Sequence, residues 1–338
     1  MKAIVIERHG PPEILKVVDV PPPKRGANEV LVRVRACALN HLDIWVRKGV
    51  EGHKFPLPII PGSDVAGVIE EGETDYLKKG DEVVVAPFET CGHCEMCLQG
   101  NDVQCREYRI LGESRDGGCA ELVSVKAGFL FPKPKNLSFA EASSILLAPL
   151  TAYHMVVTRA KVEPKEDVLV TGASGGVGSS AIQIATILGA NVFALVSNDE
   201  KAKFAKTLGA KDCIVYKEDT PLDQLFGKMR FDCVVDSVGG KVFEQAMRLL
   251  RPFGRLVTCG ATSSPTATLD LRRLFFRSLS VLGSTMGSRF EMLKVLKWAE
   301  EGIFRPFVHK VLPLEEASTA HRIIEERGVL GKVVLEVS

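Results

Sequence analysis

The chain has 338 residues, enough for two or three domains of ordinary size. With 46% apolar and 25% charged residues it has the composition of a globular protein, which excludes a disordered or collagen-like chain. Lys and Arg number 43 against 42 Asp and Glu, and a net charge of +1 gives no electrostatic reason to coat nucleic acid or an anionic membrane.

The segment Met1–Arg8 reaches charge too early for a signal peptide, and no apolar run is long enough to span a bilayer, so a cytoplasmic protein is expected. From Lys2–Glu7 and Glu29–Arg35 onward, residues alternate with the period of two of half-buried strands. Val65–Glu70 and Asp81–Ala86 continue the series, and Pro21–Pro23 and Pro56–Pro61 punctuate it. These short strands predict a β-rich first domain.

The rhythm changes near Leu147. Val168–Thr171 reads as a strand, Val177–Leu188 as an amphipathic helix, Asn191–Val196 as a strand and Asp199–Leu208 as a helix. Cys213–Tyr216, Asp232–Asp236 and Arg255–Cys259 continue as strands, and the alternation predicts a doubly wound parallel α/β sheet. Beyond Gly283 one helix, Arg289–Glu301, and a last strand, Lys332–Val337, are expected.

Between the first strand and first helix of that alternation lies Thr171-Gly172-Ala173-Ser174-Gly175-Gly176-Val177-Gly178. A dinucleotide site needs a tight turn, backbone close to a pyrophosphate and helix N–H groups facing it. Gly172 eases the turn, and Gly175 and Gly178 serve the other two tasks, with Ser174, Gly176 and Val177 completing the loop. An NAD site ends its second strand with an acid for the ribose 2′-hydroxyl. Here that position falls on Val196, while Ser197 and Lys201 suit a 2′-phosphate, which favours NADP(H). A register in which Asp199 takes the position would restore NAD.

Four of the nine cysteines form Cys91-x2-Cys94-x2-Cys97-x7-Cys105, with Gly92 and Gly100 as turn residues. Four thiolates make a closed tetrahedral shell, the pattern of a structural zinc with no open position. An iron–sulfur cluster, or free or disulfide-paired cysteines, are the alternatives. Cys37, Cys119, Cys213, Cys233 and Cys259 are scattered among apolar neighbours and read as buried, inert thiols.

Together the glycine loop and the four-cysteine lobe resemble the medium-chain dehydrogenase/reductase superfamily, that is, zinc-containing alcohol dehydrogenases and their quinone reductase relatives. Gly62-Ser63-Asp64-Val65-Ala66-Gly67, Leu147–Tyr153, Asp236-Ser237-Val238-Gly239 and Gly331-Lys332-Val333-Val334 extend the resemblance over the whole chain. It implies a GroES-like catalytic domain from residues 1–148 and 285–338, with a zinc lobe at about 89–107. It also implies a Rossmann domain over 149–284, an active site in the cleft between the two, and a homodimer or homotetramer. Thr151 is expected beside the nicotinamide, and the chain near Gly260 and Gly283 on its amide.

The departures from the resemblance carry the functional expectation. The family's catalytic-zinc positions fall on Asn40, Ser63 and Leu147, and its hydroxyl relay falls on Leu42 and Trp45. Asn40-x-x-Asp43 with Trp45 and Arg47 is similar to the zeta-crystallin-type quinone oxidoreductases, which lack that zinc and prefer NADPH. Their adenosine-phosphate lysine and tyrosine match Lys201 and Tyr216. The expected reaction is hydride transfer from NADPH to a quinone, enone or polarised ketone, with one structural zinc per subunit. Asn40 and Ser63 would stabilise the developing oxyanion, and Asp43 or Asp64 would orient them. His41 would supply a proton and Trp45 an apolar wall, although Trp45 serves equally as a core aromatic. Polarisation is thus expected from uncharged side chains alone. Arg47 or Arg35 would partner the two aspartates. Three other readings stand beside this one: a zinc site rebuilt from His41, Asp43 and Asp64; an enoyl-CoA-type reductase; and a nucleotide-binding sensor without turnover.

Overall fold

The computed structural model describes residues 1–217 and 220–337. The chain divides into two compact units, Met1–Leu147 with Ser288–Ser338, and Ala148–Gly287. In chain order the first unit supplies β1 (Glu29–Ala38), α1 (His41–Lys48), β2 (Asp64–Glu71), β3 (Glu82–Val85), β4 (Leu122–Lys126) and β5 (Leu130–Pro132). The second supplies β6 (Asp167–Val170), α2 (Gly176–Ile187), β7 (Asn191–Val196), α3 (Asp199–Thr207), β8 (Asp212–Val215) and β9 (Phe231–Asp236). It continues with α4 (Gly240–Arg248), β10 (Leu250–Thr258), α5 (Leu271–Phe276) and β11 (Ser280–Gly283). The chain then returns to the first unit with α6 (Arg289–Glu300), β12 (Val308–Pro313), α7 (Ala317–Glu325) and β13 (Lys332–Glu336).

The second unit is a six-stranded sheet in the order β8-β7-β6-β9-β10-β11, parallel throughout. Helices follow its strands in the Rossmann manner, so the strands are apolar on both faces. Val168, Leu169 and Val170 in β6, and Cys233 and Val234 in β9, are completely buried. The strand order reverses between β6 and β9, which opens the crevice where such sheets bind nucleotides.

A seven-stranded sheet forms the first unit, in the order β12-β13-β1-β2-β3-β5, with β4 also paired to β1. This is the β-rich, GroES-like part of the chain. Its register positions the site. Ala38 at the end of β1 pairs with Asp64 on one side and Val334 on the other. Asn40, the start of β2 and the start of β13 are thereby brought together. The tail is richer than its sequence pattern predicts: β12 and α7 lie between the expected helix and the last strand. The short α1 is likewise not legible as a helix, because its eight residues span little more than two turns, too few to establish a helical period. Among the described residues no helix is long and apolar enough to cross a membrane.

Candidate functional site

The cysteine lobe shows the donor geometry most directly. Cys94 caps a one-turn helix, Glu95–Leu98, that carries Cys97. Gly92 and Gly100 adopt φ of +80° and +76°, the left-handed conformation that reverses the chain on either side. The Sγ–Sγ separations are 3.5 Å for Cys94–Cys97, 3.6 Å for Cys91–Cys105 and 3.9 Å for Cys91–Cys97. A zinc ion with bonds of about 2.3 Å to four sulfurs sets tetrahedral edges near 3.8 Å. All four sulfurs lie within 4.8 Å of one another, and none of the cysteines is in a disulfide. Backbone N–H groups of Cys94 and Glu107 point at the Cys91 and Cys105 sulfurs, as thiolates require. The set therefore fits zinc. Among the described residues it is the one convergent group of three or more His, Cys, Asp or Glu side chains. The lobe is anchored by Asp102, whose carboxylate accepts from the Arg289 backbone N–H at 2.8 Å and from Thr90.

The second constellation lies where β1, β2 and β13 end. Asp43, on the first turn of α1, accepts from the backbone N–H of Asn40 at 2.7 Å and of Gly62 at 2.9 Å. Burial raises its carboxyl to about 6, against the pull of those two hydrogen bonds. Asn40 donates from Nδ2 to Asp64 Oδ2 at 2.9 Å, and the backbone N–H of Leu147 donates to Asp64 Oδ1 at 2.8 Å. The Lys332 ammonium is 5% exposed and uses all three of its hydrogens here. It donates to Leu39 O at 2.7 Å, Asn40 Oδ1 at 2.5 Å and Asp64 Oδ2 at 3.1 Å.

Two expectations are corrected by this arrangement. Neither Arg35 nor Arg47 serves the aspartates: Arg47 is fully buried and pairs with Glu325 at 2.7 Å. Nor is the surrounding field made by neutral groups alone, because Lys332 contributes a fixed positive charge. Its signal was present in the sequence as a lone charge heading an apolar strand, Lys332-Val333-Val334-Leu335.

Ser63 is fully buried and its hydroxyl donates to Leu111 O at 2.7 Å. His41 and Trp45, one turn apart on α1, are half-buried and pack edge to face with centroids 5.8 Å apart. Burial, reinforced by Arg327 and Lys48, lowers the His41 imidazole below its ordinary range. The three positions that the resemblance assigns to a catalytic zinc do not fit one. Leu147 offers no ligand atom, the Ser63 hydroxyl is spent on a carbonyl, and the Asn40 oxygen faces an ammonium.

In the second unit Gly175 caps α2, the helix that opens the glycine loop. A Cβ at Gly178 would lie 2.3 Å from Gly172 O, so only glycine permits the close packing of α2 on the turn. A Cβ at Gly260 would likewise lie 2.5 Å from Ser237 O. Ser174 and Thr151 are buried, while Gly176 and Val177 form the half-buried first turn of α2. Asp236 is fully buried and ties the ends of three strands, accepting from Thr171 Oγ1 at 2.6 Å and Thr258 Oγ1 at 3.2 Å. Beyond Val196, the last residue of β7, the exposed Ser197 accepts from Lys201 Nζ at 2.9 Å. Tyr216 follows β8 and is half-buried. The glycine loop with its helix N-terminus fits a nicotinamide dinucleotide.

Residues 26–135 match the alcohol dehydrogenase GroES-like domain family, and residues 176–301 the zinc-binding dehydrogenase family. An alcohol dehydrogenase of Geobacillus stearothermophilus is 36% identical, with all of both chains covered. An acryloyl-coenzyme A reductase of Sulfurisphaera tokodaii is 31% identical over 99% of this chain and 100% of its own. Among solved structures, an NAD-dependent alcohol dehydrogenase superposes with a TM-score of 0.94 at 46% identity, covering 100% of both chains. The crotonyl-CoA carboxylase/reductase AntE in complex with NADP gives a TM-score of 0.88 at 27% identity, covering 99% of this chain and 94% of its own. From its cysteine lobe, its glycine loop and these full-length similarities, the chain belongs to the zinc-type alcohol dehydrogenase-like oxidoreductases of the medium-chain dehydrogenase/reductase superfamily.

Proposed function

We propose that this oxidoreductase reduces an activated acceptor (a quinone, an enone or a polarised ketone) with NADPH and without a catalytic metal. The observation that carries the reading is the fate of the three ligand positions. Asn40 and Asp64 hold an ammonium between them, the Ser63 hydroxyl is given to a carbonyl, and the aliphatic Leu147 side chain has no atom that could ligate a metal. When bound, NADPH supplies the hydride. The chain must then stabilise negative charge on the acceptor oxygen and provide a proton. Asn40 is the donor for the oxyanion, because one Nδ2 hydrogen is left over after Asp64 is served, whereas the single Ser63 hydrogen is committed. Asp43 fixes the backbone of Asn40 and Asp64 its side chain. His41 holds the proton and Trp45 walls a flat substrate.

The dinucleotide is held by Thr151, the loop Ser174–Gly178 and the chain at Gly260. Ser197, Lys201 and Tyr216 hold the 2′-phosphate, a reading supported by the lack of a carboxylate at the tip of β7. Cys91, Cys94, Cys97 and Cys105 hold one zinc per chain with a structural role. A homo-oligomer would cover β11, an edge strand whose Val281 is 39% exposed beside Phe275 and Phe276 at 61% and 78%.

A second reading, reduction of an α,β-unsaturated acyl-CoA, draws on the acryloyl-CoA reductase relatives. It places the same charge on a thioester carbonyl oxygen. The test is oxidation of NADPH across quinones, enals, aryl ketones and acryloyl- and crotonyl-CoA, with and without chelator, beside a metal count. Chelator-resistant turnover at one zinc per chain is expected. A second metal, or activity lost to chelator while the fold persists, would overturn the metal-free reading. Tight NADPH binding with no acceptor reduced would favour a sensor.

A further inference from the structure

Lys332 stands far from every residue the reaction was built on in the sequence, yet its ammonium is the hub of the buried network. Its three hydrogens go to Leu39 O, Asn40 Oδ1 and Asp64 Oδ2, so none is left for a substrate. It therefore does not act by touching the reacting atoms. Its effect falls on Asn40. The amide of an asparagine has two orientations related by a half turn. Here the oxygen faces an ammonium and the nitrogen faces a carboxylate. The opposite orientation would set N–H against N–H and oxygen against carboxylate, two repulsions between buried groups. One Nδ2 hydrogen then bonds Asp64, and the other is the single donor of the side chain that remains uncommitted. Register enforces the arrangement: Ala38 pairs with Asp64 and with Val334, which aligns all three side chains at one end of the sheet.

We infer that Lys332 is a positioning residue that locks the Asn40 amide in the orientation presenting Nδ2–H as the oxyanion donor. The inference rests on the functional reading above, and its test separates the two. Lys332→Met removes the charge and keeps most of the stem volume. In the Asn40 side-chain 15N–1H resonances, identified by their loss in Asn40→Ala, the substitution is expected to speed hydrogen exchange at least tenfold. This readout needs no substrate and survives failure of the proposed reaction. Exchange as slow as in the parent protein would overturn the inference.

With an acceptor in hand, Lys332→Met is expected to lower kcat about ten- to a hundredfold, the usual scale for a group that orients another. KM for NADPH should stay within about threefold on the same basis. In an Asn40→Ala background the same substitution should change kcat less than twofold. Independent, multiplying losses would mean that Lys332 acts elsewhere and would overturn the inference. Lys332→Arg keeps the charge and stands in should the methionine variant not fold. It is expected to give a partial loss with the same dependence on Asn40, and multiplying effects would again be decisive against it.

Discussion

Asp102 and Arg289 lie 187 positions apart in sequence, yet the carboxylate of the first accepts the backbone N–H of the second at 2.8 Å. The bond joins the cysteine lobe to the N-terminus of α6, where a negative charge also meets the positive end of the helix. Asp102 is 2% exposed, so Asp102→Ala leaves buried donors unserved and should cost about 2 kcal/mol of stability. Zinc retention should weaken with it. Titration with a mercurial should release one zinc per chain and lower the thermal midpoint. Release with no change in stability would deny the metal a structural role.

The proposed preference for NADPH rests on the pair Ser197 and Lys201, whose side chains meet at 2.9 Å. Lys201→Ala should raise KM for NADPH about tenfold or more and leave NADH nearly unaffected, because only one of the two carries the 2′-phosphate. Ser197→Asp should add repulsion against that phosphate and reverse the preference. Equal effects on both cofactors, read from steady-state kinetics, would assign the pair to holding α3 in place.

Two buried groups give the first unit opposite responses to acid. Asp43 is raised from 3.8 to about 6 by burial, so its protonated form is favoured by folding. Its contribution is complete below pH 3.8 and is lost as pH rises through 6, on the order of 3 kcal/mol in all. His321 is lowered from 6.5 to about 3 by burial, with Arg47 adding to it. Its contribution is complete above pH 6.5 and is lost as pH falls towards 3, on the order of 5 kcal/mol. Urea midpoints between pH 4 and 8 should lose the first slope in Asp43→Asn and the second in His321→Gln. Parallel curves for parent and variant would refute the assignment.

His41 carries a pH prediction for turnover. Because burial and two nearby cations hold its pKa below the ordinary value, the imidazolium is scarce at neutral pH. Acceptor reduction should accelerate as pH falls, and His41→Gln should flatten that limb of the kcat profile. An unchanged profile would remove His41 from the proton path.

Around the edge strand β11, Phe253 is 80% exposed and its N–H donates to Arg277 O at 2.8 Å, which brings it to the end of α5. Phe276→Glu should shift sedimentation from oligomer to monomer. A parent protein that is already monomeric would dispose of the proposed contact.

The Rossmann sheet was legible because its strands are continuous apolar runs and its glycine loop has few other uses. Asn191–Val196 was bounded correctly to the residue. Cys91 to Cys105 was legible because thiol spacing survives without any knowledge of tertiary structure. What sequence could not supply was the meeting of Asn40, Asp64 and Lys332, which depends on strand register between segments separated by the whole second unit. The choice between Asn40 and Ser63 was closed to it for the same reason, since the Ser63 carbonyl partner, Leu111, is 48 positions away. The tail strand β12 escaped notice because its exposed His309 and Lys310 interrupt the apolar pattern.

During synthesis β1 and β2 leave the ribosome early, while β13 follows only after the complete second unit. Until it arrives, Asn40 and Asp64 have no cation between them and the Ala36–Ala38 end of β1 lacks its partner strand. Nascent chains halted before Lys332 should therefore carry a folded nucleotide-binding unit beside an unfinished first one. Oxidoreductase competence would then switch on in a single late step of translation.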